Sequence, residues 1–236
     1  MVMPLRDINP SRTFPVVNIT LIAINVLAFL YELSLGPGLE RFILQAAFIP
    51  SEYFAPGNTI ADARSVLTSM FLHGGFMHLI GNMLYLWIFG DNLEDRFGHL
   101  RYLVFYLLSG WVATLAHAYL EPTSTMPAIG ASGAISGVLG AYLVLFPRAR
   151  VLTLIPLGFY TRLAEMPALL VLGFWFVLQL FSGMAALTAR GAQAGGVAWW
   201  AHIGGFVAGM VLSYVFAALR PGGPPPRRSE PPRSAF

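Results

Sequence analysis

Two polar residues stand in apolar surroundings. Ser132, in Gly130-Ala131-Ser132-Gly133, heads an apolar run that ends near Phe146, and His202 sits inside another from about Val197 to Leu219. A hydroxyl and an imidazole are costly in hydrocarbon, so each is by default a functional candidate whose partner must be named. Each is the other's natural partner, since a serine becomes a nucleophile when an adjacent histidine takes its proton. A second set lies at His73, His78 and Asn82. His78 and Asn82 are four residues apart and share a helical face. An amide and an imidazole aimed at one place suit an oxyanion hole, whose donors must be in position before charge develops. The competing reading is a metal site. Zinc proteases carry histidines at i and i+4 with a glutamate between them, whereas here His73 and His78 are five apart with no carboxylate adjacent. No metal and no other cofactor is expected. The chain contains no cysteine, which excludes disulfides, thiolate zinc sites and a cysteine nucleophile.

Composition sets the medium in which these residues work. The 236 residues are 56% hydrophobic and 11% charged, against about 25% charged in an average soluble domain. Six apolar spans can be read, at about Val16 to Leu35, Phe76 to Phe89 with flanks, Leu100 to Leu120, Ser132 to Phe146, Met166 to Phe181 and Val197 to Leu219. The expected fold is therefore an all-α polytopic membrane protein with six transmembrane helices. Residues 1–15 form an N-terminal cytoplasmic segment, 16–219 the six-span domain, and 220–236 a proline- and arginine-rich tail that cannot form a core. The first apolar run starts too late and runs too long for a cleavable signal. All 14 basic residues are arginine. With both termini in the cytoplasm only Arg41, Arg64 and Arg190 lie outside, a clear positive-inside bias. Topology explains the net charge of +3, and nucleic acid drops out as a partner.

The fourth span is short. Ser132 to Phe146 rises about 22 Å, against a hydrocarbon thickness of about 30 Å. Anchored on one side by Pro147, Arg148 and Arg150, it leaves Ser132 below the outer surface. Irregular backbone at that depth, as in Thr123 to Gly130, must be shielded by protein or line a wet cavity. Gly133, Gly137 and Gly140 on this span, and Gly204, Gly205 and Gly209 on the sixth, allow two helix backbones to approach closely. Taken alone, these glycines would serve a transport bundle equally well. Between the first two spans, Leu39, Phe42, Ile43, Ala46 and Ala47 form a helical pattern suited to the outer interface. His99 and His117 read as locally satisfied, and Glu32 as a snorkelling residue with no assigned role.

Together the stretch Leu67 to Arg96, the Gly-Ala-Ser-Gly at 130 to 133, and Ala201-His202-Ile203-Gly204-Gly205 resemble the rhomboid family of intramembrane serine proteases. The resemblance covers about Asn9 to Leu219. It implies a six-helix bundle with an active site opening away from the cytoplasm, in a bacterial plasma membrane. Ser132 would be the nucleophile and His202 the general base. His78, Asn82 and the Ser132 backbone N–H would form the oxyanion hole. His73 would be a structural histidine for the first loop, Glu94 and Arg96 a structural motif after the second span, and Gly130, Gly133, Gly205 and Gly209 packing positions. Two departures stand out: Arg64 and Ser65 replace a frequent Trp-Arg pair, and an aromatic that packs on the catalytic histidine in some members falls at Ser136. No aspartate lies in the apolar spans, so a dyad is expected. The fifth span and the loop Gly183 to Gly196 would gate the site, and the substrates would be single-span membrane proteins cleaved next to small residues within the lipid bilayer. A non-catalytic relative that binds membrane helices should lack the serine or the histidine, and a transporter should line a path across several spans with polar groups.

Overall fold

Small residues on the fourth and sixth apolar runs let two helices meet at backbone distance, and the other helices are arranged around that pair. The computed structural model describes residues 3–55, 60–157, 160–188 and 197–219. Along them run β1 (Met3–Asp7), α1 (Val16–Ser34), α2 (Leu39–Ala46), α3 (Pro50–Tyr53), α4 (Ile60–Ser69), α5 (Phe76–Phe97) and α6 (His99–Leu120). They are followed by α7 (Ser132–Leu145), β2 (Arg150–Leu157), β3 (Tyr160–Pro167), α8 (Ala168–Thr188) and α9 (Trp199–Ala218). Four helices are long and apolar enough to cross a membrane: α1, α6, α8 through Ala185, and α9. The chain is thus an integral membrane protein. Helix α7, with 14 residues, is apolar but shorter.

Helix α5 continues well past Phe89 because its polar end is used. The Glu94 carboxylate accepts the backbone N–H groups of Val17 and Asn18 at 2.9 and 2.7 Å, satisfying donors that the first turn of α1 leaves without intrahelical partners. Asp95 accepts the Thr13 N–H at 3.1 Å and its hydroxyl at 2.8 Å. The Asn18 side chain donates to the Leu86 carbonyl at 3.0 Å and accepts the Tyr102 hydroxyl at 2.8 Å. Arg96 lies in the last turn of this helix. The central core packs Phe89, Phe97, Tyr102, Phe105, Tyr106 and Tyr142 in full burial between α5, α6 and α7.

The all-α expectation needs correcting: the fold is mostly helical, with a three-stranded antiparallel sheet in the order β1-β2-β3. Residues 150–167, read as a loop and the start of a span, form a hairpin in continuous register from Arg150 opposite Pro167 to Leu157 opposite Tyr160. Its signal is alternation: Val151 and Thr153 are buried while Leu152 and Leu154 are only partly so. The N-terminal segment supplies β1, paired from Met3 opposite Leu154 to Asp7 opposite Val151. Helix α8 consequently starts at Ala168, not Met166. The first loop carries the helix expected from its periodicity, α2, and two more. Phe48, Val66 and Ala118 bury together there and tie the loop to α6. This apolar anchor stands near Arg64 and Ser65, where a Trp-Arg pair was missing. The tail from residue 220 and most of the small-residue loop before Val197 lie outside the described residues.

Candidate active site

Ser132 is the first residue of α7, and the chain reaches it through Gly130 at φ +124°. An L side chain rarely adopts that conformation, and a Cβ there would also sit 2.7 Å from His78 Nε2. The Gly130 N–H donates to the Ser69 carbonyl at 2.8 Å and ties this turn to the end of α4. Glycines bring α9 in from the other side. A Cβ on Gly205 would overlap the Gly133 carbonyl, and one on Gly209 the Gly137 carbonyl. At this separation His202 Nε2 lies 2.8 Å from Ser132 Oγ. The fold thus brings these two side chains within hydrogen-bond distance.

The other nitrogen of the ring has a partner that sequence reading missed. Gln179 Oε1, on α8, lies 2.8 Å from His202 Nδ1, and Gln179 is buried. Its signal was available: a lone amide in Phe176-Val177-Leu178-Gln179-Leu180-Phe181 is as conspicuous in hydrocarbon as Ser132 or His202. Two indoles flank the imidazole, Trp175 and Trp199, each with its ring centroid 6.1 Å from that of His202. They supply the aromatic packing that Ser136 cannot. Ser136 instead donates its hydroxyl to the Ser132 carbonyl at 2.6 Å.

On the far side of Ser132, the Gly74 N–H donates to His78 Nδ1 at 3.3 Å. The proton of a neutral His78 therefore sits on Nε2, which faces Gly130 next to Ser132 Oγ. Asn82, one turn along α5, is buried, and its Nδ2 has no hydrogen-bond partner among the described residues. A buried donor left open at such a place is costly unless something else fills it. His73 is also buried, with its ring 5.2 Å from that of His78. The His73 backbone N–H donates to both carboxylate oxygens of Glu32 at 3.2 and 3.3 Å. Glu32 is only 2% exposed; the snorkelling reading is wrong, and the residue fastens the turn before α5 to α1. His117 likewise departs from expectation, because its Nδ1 is buried without a partner among the described residues. It lines a cavity of about 30 Å³ behind Ser132 together with Ser69, Thr114 and Gly130, room for about one water molecule. His99 pairs with Glu94.

A serine held against an imidazole, with donors gathered nearby, can carry out acyl transfer in a site sunk among apolar helices. A family model described as the Rhomboid domain matches residues 61–219. RHOMBOID-like protein 5 of Arabidopsis thaliana is 32% identical over 156 residues, covering 66% of this chain and 44% of that protein. Rhomboid protein 1, mitochondrial, of Saccharomyces cerevisiae is 33% identical over 137 residues, 56% of this chain and 37% of that one. Rhomboid protease GluP of Bacillus subtilis is 42% identical over 78 residues, 33% of this chain and 15% of that protein. The chain thus spans less than half the length of each of these relatives. The match of the family model across two thirds of the sequence, from α4 to the end of α9, shows that this protein belongs to the rhomboid family.

Proposed function

We propose that the chain is an intramembrane serine endopeptidase that cleaves single-span membrane proteins near the outer membrane interface. The observation that carries this reading is the 2.8 Å approach of His202 Nε2 to Ser132 Oγ. Ser132 Oγ attacks the scissile carbonyl carbon as its proton passes to His202 Nε2. The oxyanion is held by the Ser132 backbone N–H, His78 Nε2–H and the open Asn82 amide. His202 then gives the proton to the departing amine as the C–N bond breaks, and water cleaves the resulting ester by the same route. A peptide bond inside an intact helix cannot present its carbonyl to Ser132, so the substrate helix must unwind locally. The fifth span, α8, with the loop behind it, admits the substrate. His73, Glu94 and Arg96 hold the scaffold.

In the same proposal six helices, α1, α5, α6, α7, α8 and α9, traverse the bilayer as one domain over residues 16–219. Both termini face the cytoplasm, as the arginine distribution favours. The relatives include plant and mitochondrial proteins, so they lend no support to the expected bacterial plasma membrane, and the kind of membrane is left unassigned. The rival is a rhomboid-like protein that binds membrane helices without cutting them; retention of both Ser132 and His202 at hydrogen-bond distance speaks against it. The test is reconstitution of the purified protein in liposomes with a single-span substrate. Cleavage that vanishes in Ser132→Ala and in His202→Ala supports the endopeptidase. Stable capture of intact substrate by wild-type protein, without cleavage, favours the rival.

A further inference from the structure

We propose that Gln179 is a positioning residue that fixes the tautomer of His202, making the dyad a chain of three groups whose third member is a neutral amide. This rests on the endopeptidase reading above. A general base must present a lone pair to the serine hydroxyl, so the imidazole proton has to reside on the nitrogen facing away from Ser132. Gln179 Oε1 can only accept, and it stands 2.8 Å from Nδ1. That contact holds the proton on Nδ1 and leaves the Nε2 lone pair aimed at Ser132 Oγ, also 2.8 Å away. The opposite tautomer would donate from Nε2 to the serine and could not take its proton.

Other neighbours do not supply this function. The titratable groups that act on His202 are His78 of α5 and His117 of α6, and neither hydrogen-bonds its ring. The indoles of Trp175 and Trp199 restrict the ring's tilt but offer no acceptor. An amide also suits the place, because an isolated carboxylate among apolar helices would cost far more to bury than a neutral carbonyl. Trp175 and Gln179 are one turn apart on α8, so a single helix brings both the flanking ring and the acceptor to the base. The arming of His202 therefore depends on α8 being packed against α9.

The decisive measurement is nitrogen NMR on protein labelled with 15N-histidine, with the His202 signals assigned by their loss in His202→Ala. Wild-type protein should show a protonated Nδ1 and an unprotonated Nε2. Gln179→Met, close in size but without an acceptor, should shift His202 toward the Nε2–H tautomer and lower kcat about 10- to 100-fold, with KM within about two-fold, a smaller loss than the roughly 10⁴-fold known for a mis-set tautomer in a charged triad. Gln179→Glu, whose buried carboxyl is held neutral and keeps a carbonyl acceptor, should recover most of kcat. Wild-type kcat in Gln179→Met, beside inactive Ser132→Ala, sinks the positioning role and leaves the dyad standing. Full activity in Ser132→Ala sinks the endopeptidase reading itself. Should Gln179→Met fail to fold, the wild-type spectrum decides alone: a protonated Nε2 overturns the proposal.

Discussion

The Gly137 carbonyl of α7 occupies the space that a Cβ on Gly209 of α9 would need. The separation of these two backbones, together with that of Gly205 from the Gly133 carbonyl, sets the distance between Ser132, five residues before Gly137, and His202, seven before Gly209. Function and packing are coupled there by the absence of side chains.

Gly209→Ala should accordingly destabilise the bundle by about 1–3 kcal/mol or more, the usual cost of overfilling a packed contact, and should depress cleavage. Gly173→Ala on α8 is the control, because a Cβ there meets nothing within 4 Å. It should leave the thermal midpoint in detergent unchanged or slightly raised, since alanine favours the helix over glycine. Equal losses in the two variants would show that backbone contact between α7 and α9 is not what matters.

Asn82 carries the test of serine against metal chemistry. Loss of one oxyanion donor costs about 100- to 1000-fold in kcat, so Asn82→Ala should fall in that range while binding a model substrate normally. Exhaustive chelation should leave wild-type turnover untouched. Inactivation by a chelator with recovery on adding zinc would reassign His73 and His78 as ligands.

How far Ser132 lies from the surface can be read by thiol labelling, since the native chain has no cysteine. Ala131 is fully buried, so a scan belongs on its neighbours. Single cysteines at Met126, Ile129 and Leu139 should react with a small membrane-impermeant reagent in that descending order: Met126 is 38% exposed, Ile129 partly buried and Leu139 1% exposed. Leu139→Cys reacting as fast as Met126→Cys would contradict a cavity open at one end.

Asp7 makes the sheet sensitive to pH. Burial pushes its carboxyl up to about 7, partly offset by the hydrogen bond from the Tyr142 hydroxyl, while the nearby Asp91 raises it further. The folded value lies above the ordinary 3.8, so the unfolded strand loses its proton first. The contribution of Asp7 to docking β1 then declines as pH rises from about 4 to about 7 and stays at its lowest above that. Amide exchange protection over residues 3–7, corrected for intrinsic rates, should fall across this window and become flat in Asp7→Asn. An unchanged slope in Asp7→Asn would assign the effect elsewhere.

Much of this molecule can be read in its sequence because hydrocarbon makes polar residues conspicuous. Ser132 and His202 stand out for that reason, and Gly205 and Gly209 point to the approach that joins them. Gln179 is as conspicuous in hydrocarbon, but a neutral amide carries no charge to mark it as the partner of a histidine. Glu32 was misread because its partner is a backbone N–H, at His73, which no side-chain pattern reveals. The hairpin at 150–167 escaped because it lies beside apolar helices of similar composition. There the β-branched residues Val151, Thr153 and Ile155 at two-residue spacing are the local sign of a strand.

Covalent labelling of the nucleophile tests the dyad most directly. A fluorophosphonate applied to purified wild-type protein should modify Ser132 and no other serine, as located by peptide mass spectrometry, and should stop cleavage in proportion to labelling. Ser132→Ala should take up no label, and His202→Ala should take it up at least about 100-fold more slowly, as expected when the base is lost. Cleavage-competent protein that is labelled at another serine, or labelling of Ser132 at the same rate in His202→Ala, would contradict a catalytic pair made of these two residues.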